Sequence, residues 1–481
     1  MAGFYGYAFS VPDRSKAPNG ETLLQYVRQK NIKKTTSALV ALADPNFQDP
    51  KTGDTALHVA VSAQSRVLVK LLIVFDANLT LKNRQDLTPL DLAQQESATD
   101  IAGDIKNILD LQKELDADKP KTRHRLWQRA AAKPEEILLL SLDGGGIRGL
   151  VSVQVLLEME KRRKKLYPDS HTLLSRFNWM TGNSTGGIAA LAFAAAKADV
   201  LQSRRLYFQL KDEVLGGTPP FPSETVDKVF KEIYGTSATM SSIKETKVSV
   251  MTTLANQSPP VLHIMSNYGG ARNGQLPPEK QLVWKAARAT SAVPIKFHPQ
   301  EDESHGAIYV DGGLIANNPT TDAIVDMFEY AKQENQKVKL KLVLSLGTGL
   351  NKPTPIDDVD FDHSKLGDLI VRIARHLGMQ KLGERADDLL LILNNCKAFK
   401  QLLQILTAQI TQPNGEVVKR SEFLCEVVGA HYFRINPPIS DHISAFTTDD
   451  TQIIEMLYEV VYFMLKNCRE KTDRILEYIF Q

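Results

Sequence analysis

Cysteine is scarce, with three residues in a chain of 481, at Cys396, Cys425 and Cys468. Their wide separation and odd number exclude a disulfide framework, and no histidine or cysteine spacing around them suggests zinc. Net charge is nearly absent. The 58 basic and 56 acidic residues leave +2, which argues against a nucleic acid or other polyanion as the main partner. No run approaches the roughly 18 apolar residues of a membrane span. The first residues, MAGFYGYAFSVPDRSK, lack a charged stretch followed by an apolar one, so a secretory signal of the usual kind is not expected. A chain this long exceeds what one core usually organises, and two or three domains are expected.

What the chain does have begins with a repeat. Offsetting the sequence by 33 residues superposes GETLL at Gly20, GDTAL at Gly53 and QDLTPL at Gln85, with Thr22, Thr55 and Thr88 in register. The second copy continues as TALHVAVSAQSRVLVKLLIVFDANLTLKN. A Thr-x-Leu-His turn, two helices and an Ala-Asn turn at this period resemble ankyrin repeats. The first copy is degenerate, as an end repeat facing water would be. We assign residues 1–112 to a short ankyrin-type helical repeat domain and 113–136 to a charged linker with Lys119-Pro120-Lys121 and a helix near Trp127.

From Ile137 the texture changes to short apolar runs ending in glycine and followed by helical patterns: ILLLSLD before GGGIRG, FNWM before GNSTGG, then VSVMTTL, VLHIMS, AIYVDGG and LKLVLSLGTG. Alternating strand and helix with continuously apolar strands predicts an α/β domain over 137–350, a mostly parallel sheet covered on both faces. Residues 351–481 read as mainly helical.

Three segments in this region carry chemistry. Gly182-Asn183-Ser184-Thr185-Gly186 fits a nucleophile elbow, with small neighbours letting two backbones approach and Ser184 as the nucleophile. Gly144, Gly145 and Gly146 follow a strand and open a helix, so their N–H groups can serve one anionic oxygen together with the Thr185 amide. The same letters satisfy a dinucleotide fingerprint through Gly144, Gly146 and Gly149, but no second strand ends in an acidic residue about 20 positions on. Arg148, in the first helical turn, is open to three readings: fixing the loop, attracting a phosphate headgroup, or a structural salt bridge. Asp311 follows AIYV and is flanked by Gly312 and Gly313. Burial would raise its pKa and fit it to take a serine proton, whereas the plain alternative is an Asp-Gly turn at a strand end.

Together DGGGIRG, GNSTG, ARATSAVP at Ala287 and DGGLIANNP resemble the patatin-like phospholipase family over about Ile137 to Gly349. Repeats ahead of such a domain resemble the architecture of calcium-independent phospholipases. The resemblance implies a three-layer patatin-like sheet flanked by helices, a Ser184–Asp311 dyad without histidine, an oxyanion site at Gly144 to Gly146, and no metal or cofactor. It implies cleavage of acyl esters of phospholipids, lysophospholipids or other glycerolipids at a membrane surface. The protein is then expected to be cytoplasmic and peripherally membrane-associated, with delivery into another cell without a signal peptide left open. The repeats offer a surface to a protein partner.

Two other readings stand beside this one. A Ser-Asp-His triad could draw on His363 or His431, and an inert hydrolase-like domain could serve as an ankyrin and lipid-binding module. Two further features read as structural. The run Lys161 to Lys165 is expected to be a solvated helix end, because Glu158 and Glu160 precede Arg162 and Lys164 by four residues. Leu366, Leu369, Ile370, Ile373 and Leu377 fall on one face of a core-directed helix.

Overall fold

The computed structural model describes residues 17–118, 136–269, 276–302, 305–350 and 414–480. Six helices come first: α1 (Gly20–Arg28), α2 (Ile32–Val40), α3 (Ala56–Ser62), α4 (Arg66–Val74), α5 (Pro89–Gln95) and α6 (Thr99–Asp116). Thr55 and Thr88 cap α3 and α5 in capping boxes closed by His58 and Asp91, so these two turns repeat as the sequence predicts. The first copy differs. Its cap is Asn19, whose side chain accepts from the Thr22 N–H at 2.8 Å, and Thr22 therefore lies inside α1 and not at the boundary. The predicted helix near Trp127 falls outside the described residues.

The second part contains β1 (Glu136–Leu142), α7 (Gly149–Leu166), β2 (Trp179–Asn183), α8 (Thr185–Ala194), α9 (Val200–Glu213) and α10 (Ser223–Tyr234). It continues with β3 (Lys247–Leu254), β4 (Val261–Ser266), α11 (Val283–Thr290), β5 (Gln300–Asp302), β6 (Ala307–Asp311), α12 (Gly313–Ala316), α13 (Thr320–Gln333) and β7 (Lys339–Leu346). After the next described residue, 414, come α14 (Glu416–Val427), β8 (His431–Ile435), α15 (Asp450–Lys466) and α16 (Arg469–Phe480). The strands form one sheet in the order β5-β6-β3-β2-β1-β7-β8, with β4 also on β3. Neighbours from β3 through β2, β1 and β7 to β8 are parallel, while β4, β5 and β6 add antiparallel pairs. The sheet is thus mixed rather than simply parallel, and β8 joins it from a region read as helical.

Side-chain alternation along β1 makes the layers. Leu138, Leu140 and Leu142 join the large core with Leu150, Val153 and Ile188 of α7 and α8. Ile137 and Leu139 point the other way, to Ile324 and Met327 of α13 and Cys425 of α14. Burial on both faces explains why β1 reads as an unbroken apolar run.

The repeats are seated on the α7 side. Helix α15 contacts α4, α6 and α7, and α2 contacts α9. Buried Lys70 of α4 donates to Glu455 of α15 at 2.6 Å and lies 4.8 Å from the Tyr458 ring centre. The basic run on α7 belongs to this seam. Lys161 bonds Asp76 and Glu158, Arg162 bonds Asp118 and Asp473, Arg163 bonds Glu160, and Lys165 bonds Asp116. Only Lys164 of the five is fully exposed, which corrects the solvated helix end expected from sequence: besides Glu158 and Glu160, the partners Asp76, Asp116, Asp118 and Asp473 come from distant parts of the chain. The helix predicted around Leu366 to Leu377 lies outside the described residues.

Candidate active site

The register of β3 creates the site. Strand β2 runs parallel to β3 and ends with Asn183 opposite Met251, while β6 runs antiparallel and ends with Asp311 opposite Thr252. Since β4 occupies the other edge of β3 over the same residues, β2 and β6 share one edge and meet there at their C-terminal ends. Ser184, the residue after β2, is thereby brought to Asp311 from a distance of more than a hundred residues.

Ser184 adopts φ 52° and ψ −126° between β2 and α8, a left-handed conformation that costs a non-glycine residue on the order of 1–3 kcal/mol. The turn is held from outside. The Ser184 N–H donates to Thr290 Oγ1 at 2.9 Å, and that hydroxyl donates to the Met251 carbonyl at 2.6 Å. Glycines permit the crossing: a Cβ on Gly182 would stand 2.3 Å from the Gly186 oxygen, and one on Gly186 would stand 2.3 Å from the Leu142 oxygen. Any side chain at either position would push α8 off the sheet.

Asp311 is fully buried. Its Oδ1 accepts from the Gly313 N–H at 2.7 Å and from Asn183 Nδ2 at 3.3 Å. Oδ2 is buried without a well-formed hydrogen bond among the described residues. Burial pushes the carboxyl up to about 6, against the opposing pull of the Ser184 hydroxyl, the Gly313 amide and the Asn183 amide. Gly312 sits where a Cβ would meet Asn183 Oδ1 at 2.5 Å, so the Asp311 turn and the serine turn are in direct contact.

The glycine loop lies beside both. Gly144 packs so closely that a Cβ would stand 3.1 Å from the Ser184 Cβ. Its N–H, however, donates to the Asn317 carbonyl at 3.2 Å, which removes it from the amides free to hold an oxyanion. The N–H groups of Gly145 and Gly146 donate to no described residue, and Thr185 opens α8, where a helix leaves its first amides unpaired. Gly146 adopts φ +60°, and the Ala445 carbonyl oxygen would lie 2.1 Å from a Cβ placed there.

Arg148 is 2% exposed and donates to the Thr348 carbonyl at 2.9 Å and the Gly349 carbonyl at 2.7 Å. Of the three readings left open, loop fixation is the one the geometry realises. It ties the glycine loop to the end of β7.

Some site residues carried no reading of their own in the sequence. Asn183 Nδ2 also donates to Asn317 Oδ1 at 3.0 Å, so one buried amide links the Asp311 carboxylate to the residue that anchors Gly144. Arg434 on β8 donates to Ser345 Oγ at 2.9 Å and bonds Asp143, the fully buried residue that opens the glycine loop. Burial pushes Asp143 up to about 6 against the pull of the Arg434 guanidinium. Asn183 and Asn317 stood inside the quoted motifs and could have been noticed as polar residues at buried positions. Arg434 had no local signal.

As for the histidines, His431 begins β8 opposite Leu342, while the glycine loop follows the far ends of β1 and β7, so the whole strand separates it from Ser184. His363 lies outside the described residues. Beside the serine a narrow apolar cleft of about 50 Å³ opens, with Tyr207 and Leu210 of α9, Phe230 of α10, Val293, Phe297 and Phe446 among its walls.

Residues 140–324 match the patatin-like phospholipase family, and residues 13–105 match ankyrin repeats. The 85/88 kDa calcium-independent phospholipase A2 of Rattus norvegicus is 32% identical over 359 residues, covering 70% of this chain and 40% of that protein. The intracellular phospholipase A2 of Caenorhabditis elegans is 25% identical over 497 aligned positions, covering 98% of this chain and 42% of its own. The chain thus matches about two fifths of the length of these relatives. Human GIVD cytosolic phospholipase A2 superposes with a TM-score of 0.34 at 10% identity, over 78% of this chain and 63% of that one. None of the described helices is long and apolar enough to cross a membrane. The chain belongs to the patatin-like phospholipase family and carries ankyrin repeats ahead of its patatin domain.

Proposed function

We propose that this protein hydrolyses carboxylic esters of glycerolipids, phospholipids foremost, through a Ser184–Asp311 dyad. Asp311 accepts the Ser184 proton as the hydroxyl oxygen attacks the ester carbonyl. The developing oxyanion is held by the amides of Gly145, Gly146 and Thr185, and the acyl chain lies in the apolar cleft. Collapse of the tetrahedral intermediate expels the alcohol, which takes the proton from Asp311. Water, deprotonated by the same carboxylate, then releases the fatty acid from the acyl-enzyme. Arg148, Gly182, Gly186, Gly312 and Gly313 hold the backbone turns, and the chemistry is proposed to need no metal or cofactor.

The observation that carries this reading is the meeting of β2 and β6 on one edge of β3, which sets a strained serine against a buried carboxylate beside an apolar cleft. The proposal keeps residues 1–112 as repeats, 113–136 as linker, 137–350 as the catalytic domain and 351–481 as a C-terminal region that supplies Arg434 and Phe446. The repeats remain the proposed surface for a protein partner. A cytoplasmic protein docking reversibly on a membrane fits the same reading.

Acyl release from mixed phospholipid vesicles in excess chelator tests the activity, and a fluorophosphonate probe followed by peptide mapping tests the nucleophile. The expected result is chelator-resistant release with the label on Ser184. A label on another residue, or release abolished by chelation, refutes the proposal.

A pH dependence follows from the carboxylate. Asp311 acts as a base only when ionised, and burial places its pKa at about 6, so kcat/KM falls as pH drops through that value. Asn183→Leu removes a donor to the ionised form and moves this acid limb upward, with activity recovering toward pH 8 or 9, roughly. A variant profile lowered equally at every pH would assign Asn183 a packing role alone.

A further inference from the structure

Beyond β8 the chain returns to the site, outside the stretch that matches the patatin family. Ile443 and Ala445 are buried, and the Ala445 carbonyl accepts from the Ile147 N–H at 2.8 Å. That bond, with the bare face of Gly146 beneath it, fastens the segment to the glycine loop. A few residues on, Asp450 at the start of α15 accepts from Lys211 Nζ at 2.6 Å. The Lys211 side chain is 4% exposed and follows Leu210, a cleft residue of α9, so the second fastening is to another wall. Phe446 lies between the two fastenings and lines the cleft with Ser184. The Lys296 ammonium, from the turn that also supplies Val293 and Phe297, stands 5.2 Å from its ring centre.

We propose that residues 443–450 form a fixed strap along the cleft and that Phe446 is a specificity-determining residue, limiting which acyl groups reach Ser184. The inference rests on the acyl-ester reading above. A backbone hydrogen bond at one end and a buried ion pair at the other hold the ring in place, so it acts as a wall and not as a swinging lid. The substrates it disfavours are esters of long or branched acyl chains. A ring in an apolar pocket discriminates by the volume it occupies, and removing it leaves space that extra methylenes can fill.

The test compares kcat/KM of the full-length native protein, Phe446→Ala and Phe446→Trp on p-nitrophenyl butyrate, octanoate and palmitate. Because ratios within one protein are read, a general loss of activity does not affect the outcome. The palmitate-to-butyrate ratio is expected to rise at least about tenfold in Phe446→Ala and to fall in Phe446→Trp. Asp450→Asn, which loosens one fastening, shifts the ratio in the same direction as Phe446→Ala and gives a second readout without touching the ring. Native turnover with all variant ratios within about twofold of native overturns the strap alone. A native protein that neither hydrolyses these esters nor takes the fluorophosphonate label at Ser184 overturns the strap and the function together.

Discussion

Ser184→Ala is expected to lower acyl-ester hydrolysis by at least about 10⁴-fold, and Asp311→Asn to come within roughly tenfold of that loss. On the proposed mechanism the two residues act in one step, so the double variant should be scarcely worse than either single one. Such non-additivity is the mark of groups that fail together. The magnitude follows from the site: without Oγ no acyl-enzyme forms, and without the carboxylate no other described side chain is placed to take the proton. Folding should survive both changes, since among the described residues Ser184 Oγ forms no hydrogen bond beyond its interaction with Asp311, and asparagine preserves the shape of Asp311. The measurement is single-turnover hydrolysis of a chromogenic ester, with far-ultraviolet circular dichroism as the folding control. Substantial activity in Asp311→Asn would remove the carboxylate from the base role and send the search to His363.

The second large effect concerns stability. Arg434→Met is expected to destabilise the fold by about 3–5 kcal/mol, because it leaves the fully buried Asp143 carboxylate without its cation. The pH dependence has a definite sign. Asp143 already titrates near 6 with Arg434 present, and losing the guanidinium raises it further. The native variant therefore holds a proton on Asp143 that the unfolded chain releases, so the penalty deepens as pH rises above 6 and eases in mild acid. Urea unfolding of the native protein, Arg434→Met and Arg434→Met with Asp143→Asn at two pH values checks this. The double variant should recover part of the loss at the higher pH. A midpoint for Arg434→Met equal to native would show that the pair does not support the loop.

What could be read in advance follows from chain distance. Strands β1, β3, β4, β6 and β7 fall within runs that are apolar on their own, and Ser184 and Asp311 sit in short glycine-bounded turns whose chemistry is local. Thr55 and Thr88 were legible through their recurrence at the 33-residue period, and each caps a helix. In the degenerate first repeat Asn19 takes the cap and Thr22 lies inside α1. Strand β8, with only five residues in a helical neighbourhood, carries no periodicity of its own. The roles of Arg434 and Phe446 depend on partners that folding alone brings near. The basic run on α7 was misread for the same reason: Asp473, a partner of Arg162, lies more than three hundred residues away.

The common edge of β3 has a further consequence for how such a site can change. Two strands from distant parts of the chain are aligned by pairing with the same template, so the spacing between serine and carboxylate is fixed by sheet register and not by the chain that joins them. A one-residue slip of β6 would turn Asp311 to the opposite face, and a loop of altered length would leave it in place. The excursion between β4 and β5 carries Val293 and Phe297 to the apolar cleft and Thr290 to the Ser184 turn. Thr290 apart, that excursion is free to lengthen, shorten and exchange its cleft residues, so on the proposed function acyl preference can change while Ser184 and Asp311 stay where they are.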